Sequence, residues 1–231
     1  MSAVFSVIIP VLNERAVIRE TIDHVRSLER GEAAEIVVAD GDPAAGTLRA
    51  IPDGSVRKVL SPPGRGAQLN RGAAAATGEV LLFLHADTKL PPDALVLIAE
   101  TLRDGSLAGG AFDLAIDSPA RAFRLIEGVA SLRTRLTRIP YGDQAIFLRR
   151  ERFRAVGGYR EIPIMEDVDL MRRLKRSGGR IAVLPARVST SARRWEREGV
   201  LFTTLRNWAL VSLFLLGVDP CRLARWYRPH R

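Results

Sequence analysis

Cysteine is almost absent: Cys221 stands alone in 231 residues. A single thiol excludes an intrachain disulfide framework and fits a reducing compartment. Long apolar runs are missing too. A helix needs roughly 20 apolar residues to span a bilayer. The nearest run, 208–218, is too short alone. No secretory leader is read at the start. Residues 4–12 are apolar, but no basic residue precedes them, and Asn13, Glu14 and Arg15 follow at once. A buried strand explains that run better. A cytoplasmic protein is expected, with contact to the inner face of a membrane left open.

Acidic residues are in deficit, 26 against 35 Lys and Arg, for a formal net charge of +9. That balance favours anionic partners: nucleic acid, phosphorylated small molecules or acidic lipid. A solvated, arginine-rich surface accounts for much of it. No zinc-ligand spacing and no RNA-binding signature of the RRM type are present, so nucleic acid is not expected as a partner.

Apolar residues make up 47 % of the chain, enough for a core without covalent staples. Residues 4–10 are β-branched and apolar, the pattern of a strand. A helix is predicted over 14–28, where Ile18, Ile22, Val25 and Leu28 share one face. Strands follow at 35–39, 56–60 and 80–84, with a helix over 67–76. Pro91 and Pro92 open a helix to about residue 103. Such alternation predicts a mainly parallel, doubly wound sheet, whose ligands bind beyond the carboxyl ends of its strands. Asn13, Asp40 and Asp87 all stand there. The second half is less regular. Strands are predicted at 107–116, 144–148 and 181–184, with helices at 119–138, 168–175 and 200–218. No internal repeat or low-complexity linker interrupts the chain.

Five polar pieces need a common explanation. They are Pro10-Val11-Leu12-Asn13-Glu14, Ala39-Asp40-Gly41-Asp42, Gly64-Arg65-Gly66, His85-Ala86-Asp87 and Glu166-Asp167. In this order, at strand ends, they resemble the family-two inverting glycosyltransferases of the GT-A fold, over roughly residues 4–190. Four runs resemble more narrowly a bacterial subgroup linked to arsenosugar biosynthesis and radical-SAM proteins. These are 64–78 (GRGAQLNRGAAAATG), 83–88 (FLHADT), 141–147 (YGDQAIF) and 192–199 (ARRWEREG). The resemblance implies a Rossmann-like, mainly parallel α/β sheet flanked by helices, with a C-terminal helical extension. It implies one domain over 1–231: a nucleotide-binding half to about 105, an acceptor half to about 190, then the tail.

The resemblance also implies roles. A nucleotide-diphosphate leaving group gains negative charge as the sugar bond breaks, and a divalent cation, Mn²⁺ or Mg²⁺, stabilises it. Hard cations prefer carboxylate oxygens. Family members carry an Asp-any-Asp triplet whose last Asp binds the metal; here that is Asp87, and His85 replaces the first Asp. His85 either joins the metal or hydrogen-bonds the nucleotide. A bare turn cap is the competing reading of Asp87. Asp40 corresponds to the contact with the base edge. A carboxylate accepts from uracil N3–H or from guanine donors, so UDP or GDP is implied. Asp42 reads as a turn residue before Pro43.

Pro10, Leu12, Asn13 and Glu14 would border base and ribose, with Ala86 beside the metal ligand. Arg65 and Gly66 would meet phosphate. This is no dinucleotide fingerprint, because Leu69 stands where the third glycine belongs, and no Gly-Lys-Ser/Thr of a P-loop follows. Gln68, Asn70 and Arg71 form a polar helix face. Inversion needs a base for the acceptor hydroxyl, and Asp167 matches it, with Glu166 as a supporting acceptor contact. Helix-start carboxylates favoured by the macrodipole are the alternative. Asp143, Gln144, Arg194 and Trp195 would line the acceptor pocket, or else shape a turn and anchor a helix.

Leu201, Leu205, Trp208, Ser212 and Leu215 lie along one face of the last long helix, with arginines at 222, 225, 228 and 231 after it. Packing within the chain or in a homodimer comes first, and a membrane surface second. Three functions follow. One is transfer to a small hydroxyl acceptor. Another is transfer to a lipid-linked polyisoprenyl phosphate. The third is an inactive nucleotide-binding homologue. A sugar-nucleotide pyrophosphorylase is not expected, since no glycine-rich signature loop opens the chain.

Overall fold

The structure, a computed structural model, describes residues 4–227. Arg228 and Arg231 of the basic tail, and the side chain of Arg194, lie outside the described residues. The first half winds as expected: β1 (Phe5–Val11), α1 (Ile18–Ser27), β2 (Glu35–Asp40), α2 (Gly46–Arg49), β3 (Arg57–Leu60), α3 (Arg65–Ala75) and β4 (Val80–Phe83). Then come β5 (Thr88–Lys89), α4 (Ala94–Thr101), β6 (Leu107–Asp117), α5 (Arg121–Thr137), β7 (Phe147–Arg149) and α6 (Arg150–Ala155). The chain continues through α7 (Glu166–Arg176), β8 (Arg180–Ser191), α8 (Arg193–Glu198), α9 (Val200–Leu215) and α10 (Pro220–Ala224).

All eight strands form one sheet, in the order β3-β2-β1-β4-β7-β6-β8-β5. The pairs β1–β2, β1–β4 and β2–β3 are parallel, as is β6–β8. β1 and β4 are buried at every position. Their apolar runs therefore serve two cores, one on each face. Val7, Ile9, Val11 and Leu82 face α1 and α4, while Ile8, Leu81 and Phe83 face α3 and α7. Each such fully buried side chain contributes about 1.5–3 kcal/mol.

β7 is the strand that builds the site. It runs antiparallel to β4 and to β6. Its approach segment, residues 141–146, therefore arrives at the carboxyl edge shared by β1, β2 and β4. There the Phe83 amide donates to the Ile146 carbonyl at 2.8 Å. The fit at β6 requires small residues: a Cβ on Gly109 would stand 2.1 Å from the Phe147 carbonyl oxygen.

Several boundaries differ from the sequence reading. α1 starts at Ile18, not at residue 14, because Asn13 takes a left-handed φ of 61° and residues 14–17 make a turn. The strand predicted over 144–148 begins only at Phe147, because a 3₁₀ turn occupies Gly142–Gln144. β8 extends to Ser191, paired along β6. α6 has no counterpart among the predicted helices.

Candidate functional site

At the carboxyl ends of β1 and β2 two loops are tied together. The Glu14 amide donates to Thr47 Oγ1 at 3.1 Å. Gln68 Nε2, from α3, donates to the carbonyls of Val11 and Ala39 at 2.5 and 3.1 Å. Pro10 is buried within β1, Leu12 and Glu14 are half-buried, and Asn13 is exposed. Asp40 is fully buried. Its Oδ1 accepts from the Asp42 amide, and its Oδ2 from the amides of Thr47 and Leu48. This carboxylate braces residues 41–48 and does not present itself to a base edge, the arrangement expected from the resemblance. Asp42 accepts from the amides of Ala44 and Gly46, as a turn residue does.

Gly66, beside Arg65, is approached closely by backbone. A Cβ on Gly66 would lie 2.4 Å from the Arg160 carbonyl oxygen. The backbone approaching Gly66 is thus the protein's own. Asn70 fixes the same segment, exchanging two hydrogen bonds with the Tyr159 backbone at 2.8 and 2.9 Å. Arg71 is exposed.

Arg65 is the hub of the site. Its guanidinium meets Glu166 Oε1 at 3.2 Å, and the Glu166 side chain is only 3 % exposed. Glu166 first, and then the charges of Asp167, Asp143 and Asp87, hold Arg65 protonated against the cost of burial. Residues distant in sequence thus converge on one cation. Beside this pair the Arg65 side chain stays 27 % exposed, while Glu166 is almost covered.

Asp167 opens α7 behind Met165, whose φ of 68° is left-handed. Its Oδ1 accepts from the Val168 amide at 2.7 Å, and its Oδ2 from the Gly142 amide at 2.6 Å. His85 comes to the same place. A Cβ on Gly142 would stand 3.0 Å from His85 Nε2 and 3.4 Å from Asp167 Oδ2. Two residues later Asp169 pairs with Arg173 at 2.7 Å and Arg160 at 3.4 Å. Asp169 thus ties α7 to the 158–161 segment.

Residues 141–144 are held from α5. Gln144, expected as an acceptor contact, is fully buried; its Oε1 accepts from Thr134, Arg133 and the Tyr141 amide, and its Nε2 donates to the Phe112 carbonyl. That corrects its role: all four bonds lock the loop. Arg133 stacks over the Tyr141 ring, 3.2 Å from the centroid. Burial pushes the Arg133 guanidinium down to about 10, opposed by the charges of Asp143 and Asp167. Asp143 Oδ1 is buried without a hydrogen-bond partner.

Burial pushes the Asp143 carboxyl up to about 6; Arg133 opposes this, Asp167 adds to it and Arg65 opposes it again. A carboxyl raised on folding binds more protons in the folded chain, so stability falls as pH rises from about 4 toward 6. Asp143→Asn is therefore expected to flatten the fall in Tm between pH 4 and 7, read by thermal melts across that range.

Ala86 is buried, and its carbonyl accepts from Thr21 Oγ1 at 2.6 Å. Asp87, next to it, is exposed. A cavity of 170 Å³ opens beside Asp87, between α1, β5 and the ends of β6 and β8, with Thr21, His24, Asp117, Ser191 and Arg193 on its walls. The half-buried Trp195 ring meets Phe123 edge-on at 6.0 Å and packs on the small core under α5. That contact matches the anchoring alternative weighed from sequence.

Comparison with known proteins sets this geometry in a family. The sequence model of glycosyl transferase family 2 matches residues 6–160. The chain belongs to that family. Glucosyl-3-phosphoglycerate synthase of Mycobacterium tuberculosis (strain CDC 1551 / Oshkosh) is 34 % identical over 91 residues, 36 % of this chain and 28 % of that protein. Dolichol-phosphate mannosyltransferase of Pyrococcus furiosus is 31 % identical over 119 residues, 49 % of this chain and 32 % of that protein. The chain thus spans about a third or less of these curated relatives. Among solved structures, the mannosyltransferase PcManGT from Pyrobaculum calidifontis, in complex with GDP-Man and Mn²⁺, superposes with a TM-score of 0.66. It is 23 % identical, over 82 % of this chain and 57 % of that one. GalNAc-T7 with UDP, GalNAc and Mn²⁺ superposes at 0.62, with 16 % identity, over 82 % of this chain and 44 % of that one. At such identities these two establish the GT-A fold.

The surroundings of Asp143 and Asp167 include side chains that the sequence reading passed over. Arg133 lies in the helix predicted over 119–138, and nothing in its spacing singled it out. Tyr159, packed on Phe83 at 5.1 Å, is fully buried, and burial raises its hydroxyl well above the usual range, with Asp167 and Glu166 adding to the rise. Among the described residues, no group of three or more His, Cys, Asp or Glu could hold a metal by itself. Of the two residues expected at a metal, the exposed Asp87 lines the cavity, and the half-buried His85 does not.

Proposed function

We propose that this family-two chain transfers a sugar, with inversion, from a UDP or GDP donor to a hydroxyl acceptor. The observation that carries the reading is that Asp167, held by the Gly142 amide at 2.6 Å, meets His85 at the carboxyl edge of the sheet, next to the Arg65–Glu166 pair. Ligands of such sheets bind at that edge.

Residues 10–14 and 40–47 border the base and ribose. Asp40 contributes by setting the shape of its loop. Asp167 takes the proton of the acceptor hydroxyl as its oxygen attacks the anomeric carbon from the face opposite the leaving group. The Gly142 and Val168 amides hold both of its oxygens in place. Arg65 fixes Glu166, the neighbour of Asp167, through their ion pair. Asp143 lies on the acceptor side, where its orphaned Oδ1 can meet a hydroxyl.

A divalent cation suits this donor set. Mg²⁺-type sites take one or two protein ligands and complete their shell with substrate phosphates. Asp87, with His85 beside it, would supply that protein share. Such a cation, when bound with the donor, would neutralise charge on the departing diphosphate. The Mn²⁺ in both structural neighbours supports this choice. The resemblance to the arsenosugar-linked subgroup remains part of the proposal and names no acceptor.

The test is a screen of UDP- and GDP-sugars for nucleotide release, with Mn²⁺ or Mg²⁺ titrated against wild type and Asp87→Ala. Release by the wild type is expected, with the metal dependence weakened in the variant by about tenfold or more. Release from no donor would remove the reading. Unchanged metal dependence in Asp87→Ala would remove the assignment of Asp87.

A further inference from the structure

Two helices outside the site leave apolar sides uncovered. On α5, Leu125, Val129, Leu132 and Leu136 fall at helical spacing and are 72 %, 37 %, 59 % and 75 % exposed. The other side of α5 is buried through Phe123, Glu127 and Thr134. On α9, Leu201, Phe202, Leu205, Trp208 and Leu215 make a second stripe, each at least 46 % exposed. Trp226, beyond α10, is 64 % exposed. The helices that carry the stripes are neighbours, because Ile126 of α5, Trp195 of α8 and Val200 of α9 pack on one small cluster around Phe123. Patches of this extent mark an interaction surface.

Charge decides what fits it. Residues 121–138 and 200–227 together hold eight arginines and two carboxylates. Neither carboxylate faces a partner: Glu127 is buried, and Asp219 caps α10 through the amides of Cys221 and Arg222. Arg121, Arg138, Arg222 and Arg225 are exposed along these helices. A second copy docked about a two-fold axis would bring these cations against their own equivalents. An anionic bilayer neutralises them, accepts the leucines below the headgroups and suits exposed tryptophans at the interface. Among the described residues no helix is long and apolar enough to cross a membrane.

We propose that α5, α9 and α10 form a surface that docks on an anionic lipid bilayer, lying in the headgroup layer. This extends the tail contact considered from sequence to α5, a helix whose register alone assigned it no partner. The proposal does not depend on the transfer reaction, so its outcome is separate from that of the nucleotide-release screen.

The experiment is sedimentation of the full chain with phosphatidylcholine vesicles, with and without phosphatidylserine. Binding is expected to need phosphatidylserine and to weaken with salt. Leu132→Glu combined with Leu136→Glu should lower the vesicle affinity by about tenfold or more. Arg121→Glu combined with Arg138→Glu should lower it by about fivefold per arginine removed. All these positions are exposed, and circular dichroism with thermal melts checks that the variants fold. Absence of binding to phosphatidylserine vesicles would overturn the proposal, as would full binding by folded variants. A dimer in light scattering that the same substitutions dissociate would overturn it too, making a second copy the occupant.

Discussion

Asp167→Asn is expected to lower kcat by about 10²–10⁴-fold while the donor KM stays near the parent value. The substitution removes the proton acceptor and one of the two amide contacts, since Nδ2 cannot accept from the Val168 amide. Asparagine keeps an oxygen able to accept from the Gly142 amide, now at 2.6 Å from Oδ2. It also keeps the shape of the helix start. The competing role of Asp167, a cap favoured by the α7 dipole, makes a different forecast. A cap contributes about 0.5–2 kcal/mol of stability, so Asn, itself a good cap, would leave both stability and kcat almost untouched. Steady-state kinetics beside a thermal melt separate the two. Parent-like kcat in Asp167→Asn would return Asp167 to the status of a cap. Asp169→Asn is the contrast, because its partners are Arg173 and Arg160. There the loss should appear in stability.

The second large effect is on folding. Arg65→Met is expected to destabilise the chain by about 3–5 kcal/mol at neutral pH, because breaking a buried pair leaves Glu166 uncompensated. Methionine matches the stem of arginine and leaves out the charge. The loss should depend on pH, with a definite sign. Arg65 now helps to restrain the Asp143 carboxyl, which burial already pushes up to about 6. Without Arg65 that carboxyl rises further in the folded chain, and its unfolded value stays near 4. The folded state then holds the extra proton over a wider range, so stability is lost as pH climbs. The deficit relative to the parent should be largest near pH 8 and should shrink toward pH 5. Denaturant melts at the two pH values measure it. A deficit independent of pH would show that Arg65 acts through packing alone.

Much of the fold was legible because local rules and tertiary demands agreed. β1 and β4 are apolar without alternation, which only a strand buried on both faces requires, and both are buried throughout. The α7 start was legible because carboxylates precede an apolar period. Where the sequence misled, a local signal was overruled from far away. Glu14 reads as an early helix residue, yet its amide is taken by Thr47, across the sheet edge. Gln144 reads as a strand start beside a pocket, yet α5 captures its side chain. Trp195 reads as a pocket lining or a helix anchor, and which neighbour its ring meets, Phe123, came only from the fold. Each competitor lies outside the window that periodicity samples.

The sequence by itself determined the strand–helix alternation, the cluster of polar residues at strand ends and the order of motifs that mark family two. These follow from residue type and short spacing, and short spacing is what local physics reads. Only the tertiary structure decided that Arg65 pairs with Glu166 and that Gly142 and His85 meet Asp167. The same holds for Asp40, whose oxygens go to its own loop, and for Arg133, which enters through α5. The reason is the reversal at β7. A strand antiparallel to β4 carries residues 141–146 back to the edge where β4 ends, and no local pattern encodes which edge a returning strand will join.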